Sequence, residues 1–215
     1  MKTTAAPLSP RKTPIQRRSV ATVEALHTAT IQVLVTEGLS RCTTTRVANR
    51  AGMSVGSLYQ YYPNRDALLS GVLELHLTKI ADALEAACIS VRGKPVREMA
   101  DAIVQAYLQL KLANPEESKA LYGVAAERDG ARLMGVMYER MVNDIAQTLI
   151  TAPDNTFPDP VFTAHLALGV ITGPTKAFLE GFIPHDYTGQ FQMHLSRLLG
   201  GYLKGWHESL IMKVY

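Results

Sequence analysis

The sequence predicts an all-α protein: an N-terminal three-helix helix-turn-helix domain followed by a larger helical domain. Three observations predict it. Apolar residues recur at helical spacing through nearly the whole chain, with no strand alternation and no internal repeat. Residues 43–62 hold two short helical patterns hinged at one glycine. Positive charge gathers on the same end of the chain.

Residues 1–16, with Pro7, Pro10 and Pro14, read as a flexible basic arm. Residues 17–64 read as the helix-turn-helix domain, opening with a helix over 17–37 whose face carries Val23, Leu26, Thr30, Val33 and Leu34 and which Gly38 ends. Thr43, Thr44 and Thr45 can cap the next helix, where Val47, Ala48 and Ala51 form an apolar stripe. Gly52 supplies the turn, Ser54 can cap the following helix, and Leu58 anchors it, leaving Val55, Gly56, Ser57, Tyr59, Gln60 and Tyr61 outward. A helix presented in this way fits the major groove of double-stranded DNA.

Residues 65–215 read as one larger helical domain. Asn64 caps a long helix over 65–90, whose inward stripe is Leu69, Val72, Leu73, His76, Ile80, Leu84 and Ala87. Gly93-Lys94-Pro95 breaks it. Further helices at about 95–113, 115–126, 129–151, 159–182 and 186–212 are separated by Asn114-Pro115, Asp129-Gly130, the proline-bearing stretch 152–160 and Pro184. Pro174 should kink the helix that contains it.

Charge bears on partners. Residues 1–65 hold nine Lys or Arg against two acids, a net of +7, whereas the whole chain is +3. Such concentration beside a groove-sized helix is the footprint of a polyanion partner. Cys42 and Cys88 lack metal-ligand or CxxC spacing and read as reduced packing residues. Neither a signal-peptide core nor an uninterrupted run of about 18 apolar residues is present, so a cytoplasmic protein without membrane spans is expected. No metal site or cofactor is expected. Nucleophile elbow, phosphate loop and HExxH patterns are missing, which argues against an enzyme.

The stretch Thr43-Thr44-Thr45-Arg46-Val47-Ala48, Ala51-Gly52-Met53-Ser54, Ser57-Leu58-Tyr59-Gln60-Tyr61-Tyr62 and Asn64-Arg65-Asp66-Ala67-Leu68 resembles the TetR family of transcriptional regulators. Tyr62 stands where that family often has Phe, and Arg65 where it often has Lys. The resemblance covers about residues 17–73 and implies a homodimer that docks two recognition helices on a palindromic operator, with residues 65–215 as its effector-binding and dimerisation domain. It implies that Thr45, Val55, Gly56 and Ser57 lie where base edges are read, with Gly56 permitting close approach. Tyr59 can meet a thymine methyl or a phosphate, Gln60 lies beside it, and Thr44, Tyr61 and Arg65 suit phosphate positioning.

Two features of the larger domain extend this reading. Gly169, Gly173, Ala177 and Gly181 recur every four residues, and Gly201 and Gly205 follow in the last helix, so the segments 159–182 and 186–212 are expected to form an isologous four-helix bundle with a second copy. Leu195, Leu199, Tyr202 and Trp206 would add apolar area there. Packing within one subunit is the alternative. Met134, Met137, Tyr138 and Met141, with Met99, Ile103, Tyr107, Tyr122, Phe162, Phe178 and Phe182 from neighbouring helices, suit a site for an apolar or aromatic small-molecule effector, because methionine adapts to what it contacts. Core packing would use the same residue types. A ligand-responsive repressor is the expected function, and a sequence-blind architectural DNA binder is the alternative.

Overall fold

The computed structural model describes residues 17–127 and 129–205. Among them there are nine α-helices and no strand: α1 Arg17–Glu37, α2 Thr44–Arg50, α3 Val55–Tyr59, α4 Arg65–Ser90, α5 Val96–Ala113, α6 Pro115–Ala125, α7 Gly130–Leu149, α8 Pro160–Leu179 and α9 Thr188–Lys204. Short 3-10 turns at Leu39–Arg41 and His185–Tyr187 precede α2 and α9. The expected basic arm and the part of the last helix beyond 205 lie outside the described residues.

Local chemistry explains the boundaries. Thr43 is extended and its hydroxyl accepts the Arg46 amide at 3.3 Å, which satisfies one of the unpaired donors at the start of α2. Ser54 repeats the device for α3, accepting from the Ser57 amide at 3.0 Å. Between them Gly52 turns the chain at φ 68, a conformation that a Cβ would strain. Asp159 caps α8 by accepting from the Phe162 amide at 2.9 Å, and Pro160 takes the first helical position, where no N–H is needed. Helix α8 continues on both sides of Pro174.

The chain divides into two compact units. One takes the residues up to Leu77 together with Glu116–Gly135; the other takes Thr78–Pro115 and Val136 onward. The long helix α4 contributes to both, as does α7. In the first unit Leu26, Val33, Val47, Leu58 and Leu68 form the buried interior. Burying side chains of this size contributes about 1.5–3 kcal/mol each. Helix α6 belongs to the same unit: Gly123 faces Leu39, and His76 Nδ1 on α4 lies 3.4 Å from Glu117 Oε1. In the second unit Ile80, Leu84, Met99, Ile103, Ile145, Leu149, Leu168, Ile171 and Leu199 share one core. Cys42 and Cys88 are buried and free, and burial pushes both thiols up, that of Cys88 to about 11.

Tyr62 packs between α1 and the first turns of α4. Its ring lies where a Cβ on Gly71 would come within 2.9 Å, so the glycine admits it, and its hydroxyl shares a hydrogen bond with His27 on α1. Burial, with Glu74 nearby, pushes the phenol up to about 12, so the hydroxyl keeps its proton.

Candidate nucleic-acid interface

The two caps aim the start of α3 outward. Leu58 is fully buried, whereas Gly56, Tyr59 and Gln60 are exposed and Val55, Ser57 and Tyr61 are half-buried. Nothing but the Ser54 hydroxyl, at 3.7 Å, stands near the position of a Gly56 Cβ, so the helix is open to close approach there. Thr45 is exposed at the start of α2, and Thr44 is half-buried beside it. The Tyr59 hydroxyl lies 3.3 Å from the Thr44 hydroxyl, which joins the end of α3 to the start of α2. Every outward residue of the two helices thus belongs to one caps-and-turn frame whose interior is Val47, Ala48 and Leu58.

Three electrostatic details were not visible in the sequence pattern. Glu37, the last residue of α1, makes an ion pair with Arg46 and lies 3.8 Å from Arg50. It therefore screens both cations of α2. Arg65 does not point freely away from the protein. Its Nε donates to the Cys42 carbonyl at 2.8 Å and a terminal nitrogen donates to the Leu39 carbonyl at 2.9 Å, which ties the start of α4 to the turn before α2. Asp66 at 3.5 Å and Glu127, two residues beyond the end of α6, at 3.9 Å complete its surroundings. A positive residue after Asn64 was the readable signal; that two carbonyls would engage it depends on how the 3-10 turn folds back.

The expected effector residues divide between the units. Met99, Ile103, Tyr107, Met141 and Phe178 are buried in the core of the second unit, Met137 and Tyr138 pack against that core, and Tyr122 and Met134 belong to the first. The Tyr138 hydroxyl donates to the His165 carbonyl at 3.1 Å, and Phe178 stacks on Phe191 at 4.7 Å between ring centres. Of the residues expected at a dimer seam, Gly169, Gly173 and Gly181 are exposed with nothing within 4 Å of a Cβ position, and Ala177 is half-buried. Leu199 is fully buried in its own subunit's core and Tyr202 packs against it; Trp206 lies outside the described residues. Phe162, expected among the pocket aromatics, is exposed instead, as are Leu166 and Leu198, which sequence spacing had not marked.

Two family models match. "Bacterial regulatory proteins, tetR family" covers residues 26–72, and "Tetracyclin repressor-like, C-terminal domain" covers residues 95–203. The chain is 25% identical to the nucleoid occlusion factor SlmA of Vibrio atlanticus over 85% of its own length and 95% of that protein's. It is 26% identical to the Vibrio vulnificus SlmA, covering 75% and 85%. Among solved structures, a Mesorhizobium loti protein described as a TetR-family transcriptional regulator superposes with a TM-score of 0.74 at 14% identity, over 87% of this chain and 98% of that one. The fatty acid degradation regulator FadR of Bacillus halodurans gives 0.67 at 14% identity, over 83% and 97%. No helix among the described residues is long and apolar enough to cross a membrane. The capped helix pair and the helices that follow it are those of a DNA-binding regulator, and the chain belongs to the TetR family of transcriptional regulators.

Proposed function

We propose that the protein is a ligand-responsive repressor that binds a palindromic operator as a homodimer. The observation that carries the reading is the outward start of α3, where exposed Gly56 lies between half-buried Val55 and Ser57, framed by the Ser54 cap and the buried Leu58. Thr45, Tyr59 and Gln60 flank it. A footprint tests the proposal: one protected palindrome in the promoter region of a regulated gene supports it, and protection without a defined site rejects it.

Within that interface the residues divide by task. Tyr59, 41% exposed, offers a ring edge to a base and a hydroxyl held near Thr44, while Thr44 and Tyr61 suit phosphate contacts. Arg65 acts by holding the turn before α2 in place, since its donors already serve two carbonyls. Arg65→Ala should destabilise the protein by about 1–2 kcal/mol, about 3–6 °C in melting temperature, and weaken operator and random DNA alike. The slope of log affinity against log salt should stay unchanged. Loss of a phosphate contact would instead lower that slope by roughly one per subunit, with little change in melting.

The effector would lie in the core of the second unit, around Met99, Ile103, Tyr107, Met137, Tyr138, Met141 and Phe178. Methionines and a carbonyl-bonded tyrosine allow that interior to open for an apolar or aromatic molecule. Met137 packs at the edge of the core, so Met137→Trp should fill the space an effector needs. Operator binding should stay within about twofold while the response to effector is lost, read by titrating the protein–operator complex with inducing compounds. A variant that keeps a normal response shows the cluster to be core alone.

The relatives favour a second reading. The two Vibrio relatives reported above are named nucleoid occlusion factors, so a role over the nucleoid as a whole, in place of control at one operator, is the second reading. Chromatin immunoprecipitation separates the two: one or a few sites beside regulated genes support the repressor, and many dispersed sites support occlusion.

A further inference from the structure

Helices α5 and α9 enclose a half-open groove of about 690 Å³, well apart in composition from the Met/aromatic core. The helices pack against each other at Gly200, whose Cβ position lies 3.8 Å from the Ala100 methyl, an ordinary van der Waals contact. The loop before α8 fixes their direction. Val96 at the start of α5 donates its amide to Asp154 at 2.9 Å, and Asn155 donates to the carbonyl of Leu203 at the end of α9. The two helices therefore run antiparallel, and Arg97 and Lys204 share one end of the groove. Arg197 lines it two helical turns from Lys204, about 10 Å along the axis. Asp101 is the one acid on the wall, and Gln105 and Ser196 add neutral hydrogen-bonding groups.

These charges face solvent without partners. No ion pair or hydrogen bond among the described residues engages Arg97, Arg197 or Lys204, and even Arg97 and Asp101, spaced one turn apart, are unpaired. Three cations against one acid in a groove of small-molecule size select a multivalent anion over a neutral ligand. We propose that this groove binds an elongated small molecule with an anionic group at each end and a hydroxylated body, the chemistry of a sugar bisphosphate. One anionic end meets Arg97 and Lys204, the other meets Arg197, and the hydroxyls face Gln105 and Ser196. This site is separate from the apolar effector site proposed above and does not depend on it.

The test is calorimetric titration of the full-length protein with fructose 1,6-bisphosphate at low ionic strength, with fructose and inorganic phosphate as controls. Saturable binding of the bisphosphate, at least about tenfold tighter than phosphate and absent for fructose, is expected. Lys204→Gln and Arg197→Gln should each weaken it about five- to tenfold, whereas Asp101→Asn should tighten it about two- to fivefold, because it removes a repulsive charge. All three positions are exposed, so the fold is unaffected. Arg46→Gln should leave the binding unchanged. The proposal is overturned if no bisphosphate binding is detected at millimolar concentration, or if Arg46→Gln abolishes binding that the groove variants retain, which would place the anion on the helix-turn-helix. It is also overturned if the groove variants weaken self-association without any anion effect, which would make the groove an interface between two copies.

Discussion

Raising salt from 50 to 200 mM should lower operator affinity about 10³- to 10⁴-fold, a log–log slope of roughly −5 to −7 for a dimer that places three or four cations per subunit near phosphates. The basis is the +7 carried by residues 1–65. The geometry around Glu37 sharpens the expectation. Its carboxylate faces Arg46 and Arg50, so a phosphate approaching α2 competes with an existing ion pair and meets a like charge. Glu37→Gln should therefore raise affinity for operator and random DNA together and make the salt slope steeper by roughly one to two for the dimer. Fluorescence anisotropy across a salt series measures both quantities. A slope near zero would sink the electrostatic account, and an unchanged slope in the Glu37 variant would remove Arg46 and Arg50 from it.

If the proposed homodimer forms through α8 and α9, Leu166→Glu should turn it into monomers and reduce affinity for a palindromic operator about 10²- to 10⁴-fold, leaving single half-site binding nearly as it was. Leu166 is 41% exposed on α8, on the same outward stripe as Phe162, Gly169 and Gly173, and Leu198 and Gly201 are exposed on the neighbouring α9. In an isologous seam the new carboxylate meets its own copy or an apolar surface, and either is unfavourable. Two recognition helices spaced about 34 Å apart gain their affinity from simultaneous docking, which monomers lose. Sedimentation combined with binding to full and half operators decides the matter. If the variant stays dimeric, the seam lies elsewhere.

How much the sequence revealed depended on the range of the interaction involved. Helices α2 and α3 were legible because their signals are local: Thr43 and Ser54 bond three residues ahead, and Gly52 acts on its own backbone. The long helices were legible from apolar spacing, with ends within a few residues of those observed wherever the structure describes them. What could not be read depended on partners distant in sequence. Arg65 finds carbonyls 23 and 26 residues away, and Glu37 reaches across to α2. Leu199 looked like a seam residue because an apolar position on an amphipathic helix does not declare which surface will bury it. The methionines pose the same ambiguity, since a tightly packed interior and an adaptable binding cavity draw on one set of side chains.

The unit that carries the helix-turn-helix is not one continuous stretch of chain. Helix α6 and the start of α7, in Glu116–Gly135, belong with it, and Glu127 and Gly123 lie against Arg65 and Leu39. Recombination with a relative at a single crossover near residue 65 or 77 would thus join a recognition module to a foreign α6. Offspring of such an exchange would inherit a DNA specificity without the surface that matches it. Viable chimaeras should carry a second exchanged patch at 116–135, and evolutionary swapping of operator preference within this architecture should proceed by substitution on α3 more readily than by shuffling whole segments.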